Sequence, residues 1–202
     1  MTGVVTGVVT GVVIGVVVGP AGPLASAVLA GLGPAAARYD REIPPAVVPE
    51  VIVHIQPVDP DPETPFAVIG EEEWDRRADA PVRAALLAIQ AAHRHRARLI
   101  IVSPTVGMEG AAGLVALATA SEGVRMLAKS AARRWGPEGI AVNVVAVAAA
   151  AFGVDNPDAA RTPPALPPTA LAGVTSTVAW LAAAEGITGL TITADDGALM
   201  AP

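Results

Sequence analysis

The sequence contains no cysteine, only 3% aromatic residues, one tyrosine (Tyr39) and one lysine (Lys129). The lack of cysteine excludes disulfide bonds and thiolate chemistry. Any mechanism that couples a tyrosine to a lysine must use Tyr39 and Lys129. With so few aromatic residues, the core is expected to consist of Ala, Val, Leu and Ile, which suit the close packing of helices on a parallel sheet.

The charge balance is acidic, with a net charge of −6 and a pI of about 5.0. Because no basic patch stands out, the sequence does not predict a nucleic-acid partner. A length of 202 residues predicts a single domain over 1–202, with 1–10 as a flexible extension or as part of a longer first strand. We expect a cytoplasmic, bacterial protein.

Residues 1–37 carry no charged side chain, and glycine recurs at every fourth position from Gly3 to Gly19 with Val-Val between. One interpretation is a membrane helix with a stripe of small residues. Against it, the run 3–18 is shorter than the roughly 20 residues that span a bilayer and has no flanking Lys or Arg. The basic region of a secretory signal is also missing. The sequence instead predicts a strand around 12–18 and a helix over 24–32, with no membrane contact.

Strand and helix patterns alternate along the rest of the chain. Short apolar runs predict strands, and periods of three and four residues predict helices. The predicted strands are 51–55, 99–102, 140–147 and 190–193, and the predicted helices are 72–95, 114–135 and 171–184. Proline and glycine place connectors at 38–50, 57–65, 107–113 and 153–169. This alternation predicts an α/β domain with helices on both faces of a parallel sheet.

Several segments resemble the short-chain dehydrogenase/reductase family in order and spacing. The segments are EEEWD at 71–75, IIVSP at 100–104, WGPEGIAVN at 135–143, TG at 188–189 and DDGALM at 195–200. The resemblance covers roughly 66–147 and 171–200. It implies a Rossmann-like, doubly wound parallel sheet. It also implies hydride transfer with NAD(P), helped by an asparagine, a serine, a tyrosine and a lysine.

All four catalytic positions that the resemblance implies hold other residues. The asparagine position is Pro81, the serine position Pro104, the tyrosine position Leu117 and the lysine position Ser121. Ser103 and Thr105 flank the serine position and are weak substitutes. Lys129 lies about 12 Å beyond Ser121 along a helix with a rise of 1.5 Å per residue. The sequence therefore predicts no catalytic residues.

The glycine-rich turn that the resemblance assigns to the cofactor reads GPAGPLA at 19–25. Gly19 keeps its place and Gly22 is a nearby substitute, but Pro23 lacks an N–H donor. The Asn-Asn-Ala-Gly turn is replaced by HIQP at 54–57, and the Pro-Gly beside the nicotinamide is replaced by Val-Ala at 147–148. Only 31 residues separate Gly19 from Val51, too few for two further strand–helix units. We therefore expect a sheet shortened in its N-terminal half, and no cofactor, or NAD(P) if any.

No metal site and no hydrolase site are predicted. His93 and His95 are two residues apart on a helix and point to different faces. His54 fits a core histidine with its hydrogen bonds satisfied. Ser103 has no Gly-x-Ser-x-Gly context. The acidic residues between prolines fit a solvated loop: Asp59, Asp61 and Glu63.

Three functions are compatible with this sequence. The first is a non-catalytic subunit that partners an active paralogue of the family. The resemblance implies that such a partner binds through helices 72–95 and 114–135 and the C-terminal segment 171–200. The second is an NAD(P)-dependent oxidoreductase with a remodelled active site. The third is a small-molecule or acyl-group binder that uses the old substrate cleft.

Overall fold

A computed structural model describes residues 15–59, 63–154, 170–197 and 199. The described strands are β1 Gly15–Val18, β2 Ala37–Tyr39, β3 Val51–Ile55, β4 Arg98–Pro104, β5 Val142–Val147 and β6 Thr191–Thr193. The described α-helices are α1 Pro23–Leu32, α2 Glu71–Trp74, α3 Ala80–His95, α4 Val106–Glu109, α5 Val115–Trp135 and α6 Ala170–Ala183. The predicted alternation of strands and helices is confirmed.

The strands form one parallel sheet in the order β2-β1-β3-β4-β5-β6. The chain first moves from β1 to β2 on one side and then crosses back to β3 on the other. Between β1 and β3 the strand order reverses, which is where open α/β sheets leave a crevice at the carboxyl ends of their strands. The expected doubly wound, Rossmann-like fold is confirmed.

A layer of helices covers each face of the sheet. Helices α3 and α5 bury one core, which includes Val16, Ile52 and Val124. Helices α1 and α6 bury the other, which includes Val17, Val53 and Val178. Because strand residues alternate between the two faces, the central strands are apolar at nearly every position.

Strand β2 corrects one prediction, since residues 38–50 were expected to be a connector. Ala37–Tyr39 instead pairs in parallel with β1, with Val16 opposite Ala37 and Val18 opposite Tyr39. Strands are recognised in a sequence by alternation of apolar and polar residues, and three residues are too few to show it. The sheet therefore keeps a short second strand, and the chain then passes directly to β3.

The long helix predicted over 72–95 contains a π-turn at Asp75–Asp79. Pro81 was expected to be a flaw within it, because proline has no N–H to donate to the carbonyl four residues earlier. In the π-turn, the backbone N–H of Ala80 bonds to the carbonyl of Asp75. Pro81 thereby falls in the first turn of α3, where its missing N–H removes no hydrogen bond.

The acidic loop before this helix is partly packed rather than solvated, which corrects the expectation for Asp59. Its carboxylate is 2.8 Å from Arg76 and 3.4 Å from Arg77. Arg77 is buried, and it also pairs with Glu73 and donates to the Thr64 hydroxyl. The loop is therefore anchored to the π-turn. Asp61 lies outside the described residues.

The glycine–valine repeat falls mostly outside the described residues, as does most of the predicted loop over 153–169. Of the strand expected around 12–18, the structure describes Gly15–Val18, which is fully buried. Within the described part of the chain, no helix is both long and apolar enough to cross a membrane.

Candidate functional site

The crevice between β1 and β3 begins at Gly19, a position where the backbone leaves no room for a side chain. Gly19 has a φ of +145°, and a Cβ atom there would lie 2.7 Å from the carbonyl oxygen of Ile55. Its own N–H bonds to the carbonyl of Tyr39. Gly19 thus lets β1 turn sharply while β2 and β3 stay close on either side.

Helix α1 starts immediately after this turn, and its N-terminus is open. Gly22 is the N-cap residue, with a φ of +147° and no heavy atom within 4 Å of the position a Cβ would take. Among the described residues, no side chain caps the helix. The partial positive charge of a helix N-terminus favours an anion, but Pro23 offers no N–H to one.

Two charged residues flank the end of β2 beside this turn. The Arg38 guanidinium donates to the Gly19 carbonyl at 2.9 Å and to the Asp40 carboxylate at 2.5 Å. Asp40 follows β2 and is exposed. It lies 21 residues after Gly19, the approximate spacing at which dinucleotide-binding folds place the acid that binds a ribose hydroxyl. Sequence reasoning missed Asp40 because β2 was not recognised.

At the carboxyl ends of β3 and β4, three neutral side chains are joined by a chain of hydrogen bonds. The Ser103 hydroxyl donates to Gln56 Oε1 at 2.7 Å, and Gln56 Nε2 donates to the Ser121 hydroxyl at 3.1 Å. Ser121 in turn donates to the Leu117 carbonyl at 2.9 Å. All three side chains are buried. The lysine position (Ser121) and the weak serine substitute (Ser103) are therefore joined and satisfied internally.

The tyrosine position lies in an apolar cluster. Leu117 packs with Val106, Leu114, Ala149 and Val154, all of them buried. An isobutyl group stands where the resemblance implies a phenol, and hydrocarbon surrounds it. This cluster offers no proton donor to a substrate.

The remaining sequence-predicted positions add no donor. Pro104 is the last residue of β4 and is buried, and Pro81 is buried in the first turn of α3. Thr105 is also buried, and its backbone N–H bonds to the carbonyl of Val147. Val147 and the residues after it, which replace the expected Pro-Gly, are buried as well.

His54 is buried beside this network, but its ring lacks the hydrogen bonds that were expected of a core histidine, which corrects that expectation. Neither ring nitrogen has a hydrogen-bond partner among the described residues. Burial lowers the pKa of His54 from 6.5 to about 4. The imidazole is therefore neutral near pH 7 and out of reach of a substrate.

Two residues of the resembling motifs hold backbone at opposite ends of the sheet, Asn143 near the start of β5 and Asp195 after β6. Asn143 is buried, donates to the Ile187 carbonyl and accepts from the backbone N–H of Leu190. The buried Asp195 carboxylate accepts the N–H groups of Gly197 and Leu199. Both side chains bind backbone groups and stabilise the segments next to them.

No cluster of three potential metal ligands occurs in the parts of the chain that the structure describes. His93 stacks on Trp135 with ring centroids 4.5 Å apart, and His95 takes no part in that contact.

A bound dinucleotide fits only one end of this crevice. Gly19, Gly22 and Asp40 are placed to suit a phosphate and a ribose. The reactive end meets buried Val147 and the Leu117 cluster instead. The residues present therefore do not fit the nicotinamide half, and no hydride-transfer step can be derived from them.

The glutamine of the network was not found from the sequence. Gln56 stands where the resemblance implies an alanine, and an isolated glutamine between Ile55 and Pro57 has no signal of its own. Only the register of β3 against β4, with Ile55 opposite Val102, brings it beside Ser103.

The comparisons with known proteins agree with this architecture. No curated protein matches the chain. A solved dehydrogenase/reductase from Sinorhizobium meliloti 1021 is similar, with 24% identity, a TM-score of 0.59, and coverage of 75% of this chain and 64% of its own. The chain thus spans less than two thirds of that protein. Sorbitol-6-phosphate 2-dehydrogenase SrlD from Erwinia amylovora has 14% identity, a TM-score of 0.66, and coverage of 93% and 100%.

At these identities the two solved structures show the fold alone. A family model is more specific, since the model described as enoyl-(acyl carrier protein) reductase matches residues 50–198, well over half of the chain. The chain therefore belongs to this family of the short-chain dehydrogenases/reductases.

Proposed function

We propose that this protein is a non-catalytic member of its family that acts as a structural or regulatory partner of an active paralogue. The observation that carries the proposal is the filled catalytic position. Leu117 lies in an apolar cluster, and Ser121 closes a neutral network with Gln56 and Ser103.

Reduction of a carbonyl or an enoyl group needs a proton source beside the hydride acceptor. General acids that supply it have a titratable group within hydrogen-bond reach of the substrate. At the described carboxyl edge, the Leu117 cluster and the serine–glutamine network contain no titratable side chain. His54 is buried and its pKa is lowered, so it does not replace one.

The surfaces expected to meet a partner remain well formed. Helices α3 and α5 keep an exposed outer side that carries Leu87 and Met126. On the opposite layer, α6 exposes Trp180, and Leu190 is exposed before β6. Large apolar and aromatic side chains of this kind are typical of association surfaces.

The proposal is tested on the purified chain alone and with its family. Supplied with NADH or NADPH and a panel of ketones and enoyl thioesters, the chain should show no turnover above a no-protein control. Tagged chain expressed in its native organism should bring down a full-length dehydrogenase, and Trp180→Ala should weaken that capture. Steady turnover by the isolated chain would contradict the proposal.

A second candidate is an NAD(P)-dependent oxidoreductase with a remodelled site. The turn at Gly19, the open N-terminus of α1 at Gly22 and the acid at Asp40 favour it. Fluorescence titration with NADH and NADPH distinguishes the two candidates. Tight binding that Asp40→Ala weakens at least tenfold would support the second. No binding at millimolar cofactor is the result expected for a non-catalytic subunit.

A further inference from the structure

Strand β2 forms an edge of the sheet, and one residue of it turns its backbone groups outward. In the strand order β2 stands at one end, with β1 on its inner side. The Tyr39 carbonyl accepts the N–H of Gly19 at 3.1 Å, so Tyr39 turns its backbone groups towards β1. Successive residues of a strand turn these groups to opposite sides. The N–H and C=O of Arg38 therefore point away from β1, where the described strands include no partner for β2.

The described segments next to β2 do not cover this edge. Before the strand, the Ala36 N–H bonds to the carbonyl of Gly33. After it, the connector over 40–50 bonds within itself, from the Val47 N–H to the Pro44 carbonyl. An open edge of this kind is a template for a further strand, and folded proteins pair or cover it.

A second copy of β2 is a poor partner for this edge. The outward groups of Arg38 would have to pair with their own copy, so a two-fold axis would pass beside this residue. Each Arg38 would then lie opposite the other, and like charges directly opposite each other destabilise a sheet. The paired stretch would also be no longer than the three residues of β2.

The glycine–valine repeat has a suitable composition and position to be the partner. Residues 1–14 directly precede β1 and consist of valine, threonine and glycine apart from Met1 and Ile14. They contain no charged residue and no proline, and valine and threonine favour strands. The repeat has a period of four, which is twice the period of a strand. A strand made from it would place every glycine on one face and every threonine on the other.

The length of this segment fits the distance that it must cover. The position beyond β2 is two strand spacings from β1, roughly 10 Å, which about three extended residues cross. About ten residues then remain to pair with β2. The segment reaches this position from the amino end of β1. It would therefore run antiparallel to β2, because a parallel strand needs a crossover of a dozen or more residues.

We propose that residues 1–14 supply an added strand that pairs antiparallel with the outer edge of β2, through the N–H and C=O of Arg38. The inference goes beyond the proposed function, because it concerns the edge of the shortened sheet. It gives the repeat a role, which is to close that edge to other chains.

Hydrogen exchange of the Arg38 amide, measured by NMR on the full chain, tests the proposal. The test variant is Val4→Pro/Val5→Pro/Val8→Pro/Val9→Pro, in which proline removes N–H donors from the segment and prevents a regular ladder. Changing both valines of two repeats also disrupts pairings that are shifted by four residues. The Arg38 amide should exchange at least tenfold faster in this variant than in the wild type, because it loses its acceptor.

Two controls make the result specific. Isoleucine at the same four positions keeps every N–H and the β-branched shape, so the Arg38 amide should stay protected. The Tyr39 amide, on the β1 side, should stay protected in all three proteins and reports that β2 is in place. Rapid exchange of the Arg38 amide in the wild type, or equal protection in the proline variant, would overturn the proposal. Protection that disappears on dilution would overturn it too, since the added strand would then come from a second copy.

Discussion

The buried polar side chains around the position that the resemblance assigns to lysine are neutral and hydrogen-bonded in a chain: Ser103, Gln56 and Ser121. A buried polar group is costly unless it is hydrogen-bonded. Gln56 meets this need for both Ser103 and Ser121 with one amide. The glutamine thus stabilises a polar interior that no longer holds a charge.

His54 is the exception to this pattern, since its ring is buried without hydrogen bonds. Its folded-state pKa of about 4 lies below the ordinary 6.5, so the unfolded chain binds more protons between these values. The contribution of neutral His54 is fully present above pH 6.5 and falls as the pH drops towards 4. The expected loss is about 3 kcal/mol of unfolding free energy across this window.

Urea unfolding measured from pH 7.5 to pH 4 checks this pH dependence. His54→Asn should flatten the curve relative to wild type. Equal pH dependence in wild type and His54→Asn would show that another group is responsible.

Among the elements, α1 and α6 approach each other unusually closely. A Cβ atom at Gly31 would lie 2.5 Å from the carbonyl oxygen of Thr175, and the Thr175 hydroxyl donates to the carbonyl of Ala27. The two helix backbones are therefore in contact at Gly31. The absence of a side chain there sets the distance between the helices.

Gly31→Ala should lower the unfolding free energy by about 1–3 kcal/mol, because backbone must move to admit the methyl group. Gly173→Ala is the matched control, since it also changes a helical glycine but has no atom within 4 Å of the new Cβ. Alanine favours helix by roughly 1 kcal/mol over glycine, so the control should be neutral or stabilising. Chemical denaturation of both variants measures the difference, and equal effects would refute the close-contact argument.

The elements also show how far the sequence could lead. Strands β3 to β5 and the long helices are predictable within two residues or so, because periodicity and length agree over each segment. Strand β2 is not, because three residues carry no period. The π-turn cannot be predicted either, because its position depends on where the helix can place Pro81 without losing a hydrogen bond.

At the site, the sequence predicted the substituted positions but not the contacts that their residues make. Leu117 and Ser121 follow from the order and spacing of the resembling segments. The partner of Ser121 is 65 residues away in sequence, at Gln56. Such a contact depends on strand order, which one sequence does not display.

On the scale of the whole molecule, the shortened sheet needs a cover for the core beside β1 and β2. Residues 40–50 run between β2 and β3 in place of a longer unit. Ile43 and Val47 from this connector are half-buried and pack, with Tyr39, against the core under α3 and α5. The connector therefore closes one end of the apolar interior.

Ile43→Ala and Val47→Ala should each cost about 1–2 kcal/mol of unfolding free energy, in proportion to the half-buried hydrocarbon removed. Val48→Ala, on the same connector, is the control, because Val48 is 67% exposed and its truncation should change stability by less than about 0.5 kcal/mol. Urea denaturation of the three variants checks the order. If all three lose equal stability, the connector acts through its own chain entropy, and the packing of Ile43 and Val47 does not seal the shortened core.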